Sequence, residues 1–265
     1  MNKTGPEKQE GADTVAESGG TVYIRPVWNG DFPWLRSAVS TRQRGVSPGG
    51  FGMNTSFRVG DTPENVRANR KLFFGAAGID GGKLATAGQV HGAVVALAET
   101  SGHYQGCDAL ITSVRGLCLG ISVADCLPIL LLDPDHRSVG IVHSGWKGSG
   151  GKVVLRTLEM MSEAFGTRPG DVRAYIGPSA GGCCYEVGEE VAAIFPEDVL
   201  TVGGGGRLRL DLSAFNRSVL LRTGVPEAQI AVSGHCTIHE PEIFHSYRRD
   251  RSGSGRMLAV VGIGK

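Results

Sequence analysis

Apolar residues fall in short runs separated by Gly, Pro, Asn and Asp, and only a few stretches carry the three-to-four spacing of an amphipathic helix. Residues 21–28, TVYIRPVW, predict a first strand, with Pro26 at an edge or bend. Residues 31–44 predict a short helix after Phe32-Pro33. A loop follows through SPGGFGMNTSFRVGD, with a short strand over Thr55–Val59. Thr62 as N-cap and Pro63 at the first helical position start a helix that runs to Gly75. Residues 83–90 and 93–98 read as strands around the turn Gln89-Val90-His91-Gly92, and 108–114 as another before Arg115-Gly116.

The most apolar part of the chain is 117–151, LCLGISVADCLPILLLDPDHRSVGIVHSGWKGSGG. Strands over 117–124, 128–132 and Ser138–His143 are separated by Asp125-Cys126-Leu127-Pro128 and by the turn Asp133-Pro134-Asp135-His136. The longest helical pattern is Gly148–Phe165, with Val153, Val154, Leu158, Met161 and Phe165 on one face and Gly166 as its stop. Beyond it come a strand at 171–177, a helix at 186–195, a strand or loop at 199–209, a helix at 211–222 capped by Asp211 or Ser213, and strands at 229–232 and 256–261. Strands and helices intermix throughout. The expectation is an α/β (α+β) fold in a single catalytic domain, 21–265, after a disordered N-terminal tail, 1–20.

Composition narrows the function classes. With 27 basic against 26 acidic residues, the net charge of +1 gives no bulk attraction for nucleic acid or an anionic membrane. No apolar run is long enough to span a bilayer, and the N-terminus has no secretory apolar region. Six cysteines in 265 residues, two of them adjacent (Cys183 and Cys184), suit a reducing cytoplasm with thiols free or on metal. The expected state is a monomer or small homo-oligomer.

Candidate chemistry lies at the ends of the apolar runs. Cys126 follows one, His143 ends another, and His91 sits in the GQVHG turn. A thiolate and two imidazoles make a three-ligand site for zinc or copper with an open fourth position. The residues alone leave other readings open: Cys126 as a small buried hydrophobe, His91 as a turn histidine, His143 bonded to a backbone carbonyl. Asp125 is a candidate acceptor behind a ligating imidazole, or a cap for the next turn. Candidate anion donors are Arg58, Lys147, Arg248 and Arg249, with Gly148–Gly151 as a possible nest of backbone N–H groups at a helix start. Asn54, Ser56 and Arg58 alternate, so on a strand they would share a face toward ribose or phosphate. His245, Ser246, Tyr247 and Arg248 could line the same pocket, with Tyr247 or Trp146 against a base or in the core.

These motifs resemble a known family. GQVHG at 88–92, CDALIT at 107–112, ADCLPILLLD at 124–133 and HSGWKG at 143–148 are similar to the YfiH/YlmD family, also called DUF152 and the multicopper polyphenol oxidase (laccase) family. NTSFRVGD at 54–61, IGPSAGGCCYEVG at 176–188 and the segment from Cys236 to Arg256 extend the likeness over nearly all of the chain after Gly20. The resemblance implies a four-layer α/β/β/α sandwich, CNF1/YfiH-like. It implies one zinc ion on His91, Cys126 and His143, with copper as the other candidate metal.

The implied activity is phosphorolysis of purine nucleosides (adenosine, inosine, methylthioadenosine) with inorganic phosphate, together with adenosine deamination. On that reading Cys126, His143, Lys147 and Asp125 carry the chemistry, and Asn54, Arg58, Ser179, Tyr247 and Arg248 hold substrate and phosphate. The chain departs from the family pattern at Ala180, where GPSI becomes GPSA and widens a wall of the site. It lacks the HxE and PCxxC pattern of zinc nucleobase deaminases. Seven histidines are a thin supply for several copper centres. A copper-dependent phenol oxidase, a Cys–His hydrolase acting on cell-wall precursors with Cys126 as nucleophile, and a structural zinc protein remain the competing readings.

Overall fold

The computed structural model describes residues 11–264. The chain opens with a hairpin, β1 (Asp13–Ser18) and β2 (Thr21–Pro26), paired from Asp13↔Pro26 to Ser18↔Thr21. Gly19 and Gly20, at φ 54° and 78°, make the two-residue turn that this register requires. The tail expected over 1–20 is therefore corrected at its end. Residues 13–18 are held because β2 offers them a free edge and because Asp13 Oδ2 accepts the hydroxyl of the fully buried Tyr175 at 2.5 Å. The first ten residues lie outside the described part.

The remaining strands are β3 (Leu35–Ser40), β4 (Leu84–Ala87), β5 (Val95–Leu97), β6 (Gly102–Tyr104), β7 (Ala109–Thr112), β8 (Cys118–Val123), β9 (Leu127–Asp133), β10 (Ser138–Ser144), β11 (Arg173–Ile176), β12 (Glu186–Val187), β13 (Leu200–Val202), β14 (Leu208–Leu210), β15 (Ile230–Val232) and β16 (Met257–Ile263). The helices are α1 (Pro63–Ala77), α2 (Trp146–Gly150), α3 (Val153–Phe165), α4 (Glu189–Ala192), α5 (Leu212–Thr223) and α6 (Tyr247–Asp250). One sheet has the order β1-β2-β3-β16-β8-β4-β6, a second β15-β11-β9-β10-β7-β5, and a small third β12-β14-β13.

Alternation along the strands builds the layers. Leu119, Ile121 and Val123 of β8, with Met257, Ala259 and Val261 of β16, face Leu130, Leu132, Val139 and Ile141 of the second sheet. The other face of β16, Leu258 and Val260, packs with Phe73 of α1. On the far side, Ile129, Leu131 and Val142 meet Val154, Leu158 and Met161 of α3 and Leu220 of α5. The order is helix, sheet, sheet, helix, the expected sandwich. Fully burying each such Leu or Phe side chain stabilises the fold by about 1.5–3 kcal/mol.

Local signals set several element ends as expected. The Thr62 side chain accepts from the Asn65 N–H, Asp211 accepts from the Ala214 N–H, and Gly166 closes α3 in the left-handed region, whereas α1 passes its expected end at Gly75 and stops at Gly78, φ 68°. Other expectations give way to tertiary context. The helix expected over 31–44 is β3, whose Leu35 and Val39 enter the inter-sheet core while β2 and β16 take up its backbone. The strand expected at Thr55–Val59 is irregular, so Asn54, Ser56 and Arg58 do not share a strand face. The helix expected from Gly148 is split, because Lys152 adopts φ 55°, ψ 43° between α2 and α3. The helix expected at 186–195 is a two-residue strand and the one-turn α4.

Candidate active site

Three chain segments meet at the end of the sandwich. The connection from β8 to β9 crosses between the two large sheets and carries Asp125 and Cys126. His143 is the penultimate residue of β10, paired with Pro128 of β9. His91 lies in the turn between β4 and β5. The ligand atoms of His91, Cys126 and His143 lie within 4.8 Å of one another, and the imidazoles meet edge-on with centroids 5.0 Å apart. The trio singled out in the sequence is thus assembled.

Each segment is held by identifiable bonds. Gln89 donates from Nε2 to the Ser122 carbonyl at 2.7 Å and accepts from the Ser122 N–H at 2.8 Å, which pins the His91 turn to β8. His91 itself sits at φ 59°, a conformation unfavourable for a residue with a Cβ. Asp108 supports it, accepting the backbone N–H groups of His91 at 2.9 Å, Gly92 at 2.7 Å and Val90 at 3.2 Å. The same carboxylate bonds His143 Nδ1 at 2.8 Å, leaving Nε2 as the free nitrogen of that ring. Gly145 completes the packing. A Cβ there would stand 3.1 Å from Cys126 Sγ and 3.6 Å from His91 Cδ2, so any larger residue would press on the thiol by a few tenths of an ångström.

Electrostatics follow from this enclosure. Burial alone would raise the Cys126 pKa, but hydrogen bonds from His143 and His91 outweigh it and bring the thiol down to about 6. Burial alone would lower His143, but the Asp108 carboxylate and the Cys126 sulfur raise it to about 9. Burial also opposes ionisation of Asp108, yet the bonds from His143 and Gly92 hold it below the ordinary carboxylate value. The two shifts run in the directions that favour a thiolate on Cys126 beside an imidazolium on His143. A divalent ion would take the place of the shared proton, and two nitrogens plus one sulfur at this spacing fit such an ion with a coordination position to spare.

The acceptor role foreseen for Asp125 belongs to Asp108. Asp125 sits at φ 83° and uses its carboxylate as a clasp: Oδ1 accepts Thr237 Oγ1–H at 2.7 Å, Oδ2 accepts the Arg248 N–H at 2.6 Å, and its carbonyl accepts the Ala180 N–H at 2.9 Å. This brings Arg248 and its neighbours beside Cys126. The Arg248 guanidinium lies 5.2 Å over the Tyr185 ring, and Arg256 lies 5.2 Å over the half-exposed ring of Tyr247. Tyr185 and Arg256 are both within reach of the Cys126 charge. Two arginines and two tyrosines thus gather beside the ligands.

Other expected site residues are engaged elsewhere. Asn54 is fully buried, its Oδ1 accepting the N–H groups of Ser56 and Arg256 and its Nδ2 donating to Asp61, so it braces the Arg256 segment. Ser179 is buried in a bridge with Cys236. Arg58 bonds His103 Nε2 at 3.1 Å and lines a cavity of about 260 Å³ with Ser56, Arg70 and Gln89. Arg249 donates to the carbonyls of Thr237, Ile238 and Phe244. His245 is buried, its two ring nitrogens have no hydrogen-bond partner among the described residues, and burial drives its pKa down to about 3.

The anion nest expected at Gly148–Gly151 is also corrected. Ser149, Gly151 and Lys152 already donate their N–H groups to Gly145, Lys147 and Ser149. Lys147 is exposed, its Nζ 5.4 Å from the ring of Trp146, which packs against the core.

Asp108, Gly145, Tyr185 and Arg256 had no site role assigned from the sequence. Asp108 stood inside CDALIT, where an acidic residue at the mouth of an apolar strand was the available signal. Its partners are 16 to 35 residues away.

The family described as multi-copper polyphenol oxidoreductase laccase matches residues 36–264. A purine nucleoside phosphorylase of Deinococcus radiodurans is 41% identical over 230 residues, covering 85% of this chain and 88% of that protein. An adenosine deaminase from an unknown prokaryotic organism is 33% identical over 227 residues, covering 79% and 86%. The crystal structure of YlmD from Geobacillus stearothermophilus matches with a TM-score of 0.87 at 30% identity, over 96% of this chain and all of that one. No helix among the described residues is long and apolar enough to cross a membrane. By sequence and by fold, the chain belongs to the YfiH/YlmD (DUF152) family of laccase-like proteins.

Proposed function

We propose that this chain is a cytoplasmic, zinc-dependent purine nucleoside phosphorylase, acting on adenosine, inosine or methylthioadenosine with inorganic phosphate, and that the same site deaminates adenosine. The observation that carries the reading is the His91–Cys126–His143 cluster with an arginine–tyrosine wall beside it. Its similarity to a purine nucleoside phosphorylase and to an adenosine deaminase supports both activities. A zinc ion there would be held by His91, Cys126 and His143 and would supply Lewis-acid stabilisation of a substrate or phosphate oxygen.

Phosphorolysis joins a phosphate oxygen to ribose C1′ as the bond from C1′ to purine N9 breaks. The reaction therefore needs cationic donors for phosphate and a flat surface for the base. Arg248 and Arg256 fit the first need, and the exposed ring of Tyr247 fits the second. Asp125 positions this wall through Thr237 and Arg248. Asp108 keeps His143 oriented. Lys147, exposed at the start of α2, remains a candidate for drawing phosphate toward the site.

The test is product analysis on zinc-loaded protein with a nucleoside panel, with and without phosphate. Free base plus sugar 1-phosphate is expected, with ammonia and retained sugar from the deaminase activity on adenosine. Absence of both product sets would overturn the proposal. One observation favours a second reading. The lowered pKa of Cys126 beside two imidazoles is also what a thiol nucleophile needs. If hydrolysis of cell-wall precursors persists after chelation and is abolished by alkylation of Cys126, that reading wins. Oxidation of phenols with oxygen uptake by copper-loaded protein would support the oxidase of the family description, since a His₂Cys set also accepts copper.

A further inference from the structure

A second group of soft ligands lies away from the first cluster. Cys183 and Cys184 follow the GPSAGG turn, and Cys236 and His239 form a C-x-x-H pair after β15. The ligand atoms of Cys183, Cys184 and His239 lie within 4.8 Å of one another. Cys183 Sγ and Cys184 Sγ are 3.5 Å apart, and Cys184 Sγ is 3.8 Å from His239 Nδ1. Buried Cys236 stands beside them: a Cβ on Gly181 would lie 3.3 Å from Cys183 Sγ and 3.4 Å from Cys236 Sγ. All six cysteines are free thiols.

We propose that Cys183, Cys184 and His239, with Cys236 as fourth donor, form a second site for a soft divalent ion of the zinc class. With metal–sulfur bonds of about 2.3 Å, neighbouring sulfurs on a tetrahedral ion stand roughly 3.8 Å apart. The observed spacing is close to that edge, whereas a linear two-coordinate ion would set its sulfurs on opposite sides. Two features outside the cluster serve the bound state. Cys236 Sγ accepts the Gly181 N–H at 3.3 Å, the kind of bond that orients a ligating thiolate. Arg209, whose charge reaches Cys184, has a buried Nε with no hydrogen-bond partner among the described residues. Three thiolates, an imidazole and a divalent ion carry net charge −1, which that guanidinium would offset.

Disulfide exchange fits this group less well. Adjacent Cys183 and Cys184 are poor partners for a disulfide with each other, whereas one cation can take both sulfurs at the observed 3.5 Å spacing. The ion would staple the 181–185 turn to the 236–240 turn. Ala180, just before the first turn, and Thr237 of the second both bond Asp125, so the staple would stiffen the wall that carries Tyr185 and Arg248.

The test is metal counting on the full chain after zinc loading and desalting. Two zinc ions per chain are expected in the wild type. The double variant Cys183→Ser/Cys184→Ser and the variant His239→Ala should each retain one. His239 is exposed, so its variant does not depend on repacking the core. Cys126→Ala should also retain one, and its cobalt-loaded form should keep the thiolate-to-cobalt absorption, which disappears when Cys183→Ser and Cys184→Ser are added. One zinc in the wild type, or no thiolate–cobalt band in Cys126→Ala, overturns the site. So does a Cys183–Cys236 or Cys184–Cys236 disulfide in intact-mass analysis of protein kept with excess zinc.

Discussion

Asp108 holds two sides of the His91–Cys126–His143 cluster: one carboxylate bonds His143 Nδ1 at 2.8 Å and the backbone of the His91 turn at 2.7–3.2 Å. The geometry of two ligands from different segments therefore depends on one buried anion. Loss of that anion would misplace His91 and release the His143 ring together.

Replacing Asp108 by Asn should weaken zinc binding by about 10–100-fold, because the amide removes the charge that keeps His143 Nδ1 protonated and Nε2 free. Asp108→Ala should in addition lower stability by about 1–3 kcal/mol, through backbone N–H groups left without an acceptor. Competition with a chromogenic chelator and thermal unfolding measure the two effects. Wild-type affinity in Asp108→Asn would refute the role.

Cys126 in metal-free protein should be alkylated as a thiolate down to about pH 6. Its folded pKa lies below the ordinary thiol value, so the reactive anion is present above about 6 and is lost as pH falls through that value. Alkylation at Cys126, followed by peptide mass mapping across pH, should rise through 6 rather than near 9, and excess zinc should suppress it. Cys126→Ala and His143→Ala should each lose the metal and the activity together.

Gly145→Ala should lower metal affinity and activity while changing stability by less than about 1 kcal/mol. The added methyl would crowd Cys126 Sγ at 3.1 Å, and the backbone at Gly145, φ −75°, suits any residue. Unchanged metal affinity would mean that the cluster yields more readily than its packing implies.

Asp125→Asn should separate positioning from chemistry. As a clasp for Thr237 and Arg248, Asp125 holds the wall proposed to bind substrate, so KM should rise several-fold, more than kcat falls, with zinc content intact. A loss confined to kcat would instead make Asp125 a proton carrier.

Asp13→Ala should destabilise the fold by about 1–3 kcal/mol without touching the metal. It removes the partner of the Tyr175 hydroxyl, which is fully buried between the sheets. Denaturant unfolding at fixed zinc content measures it, and a wild-type midpoint would show that the first hairpin is not coupled to the core.

Much of this protein was legible from its residues alone. The apolar runs of β8, β9 and β10, the Thr62 and Asp211 caps, and the His91–Cys126–His143 trio were all readable, because they are local patterns or motifs that belong to single segments. Tertiary structure decided the rest. Residues 35–40 pair as a strand because β2 and β16 flank them, which no helical spacing reveals. Asp108 rather than Asp125 supports His143 because two aspartates look alike until folding sets which carboxylate each distant donor can reach. Likewise, Asn54 carried plausible polar chemistry, but burial and its hydrogen bonds to Ser56, Asp61 and Arg256 make it a brace for the Arg256 segment. A side chain's type limits the chemistry it can offer, and the segments folded against it choose among those offers.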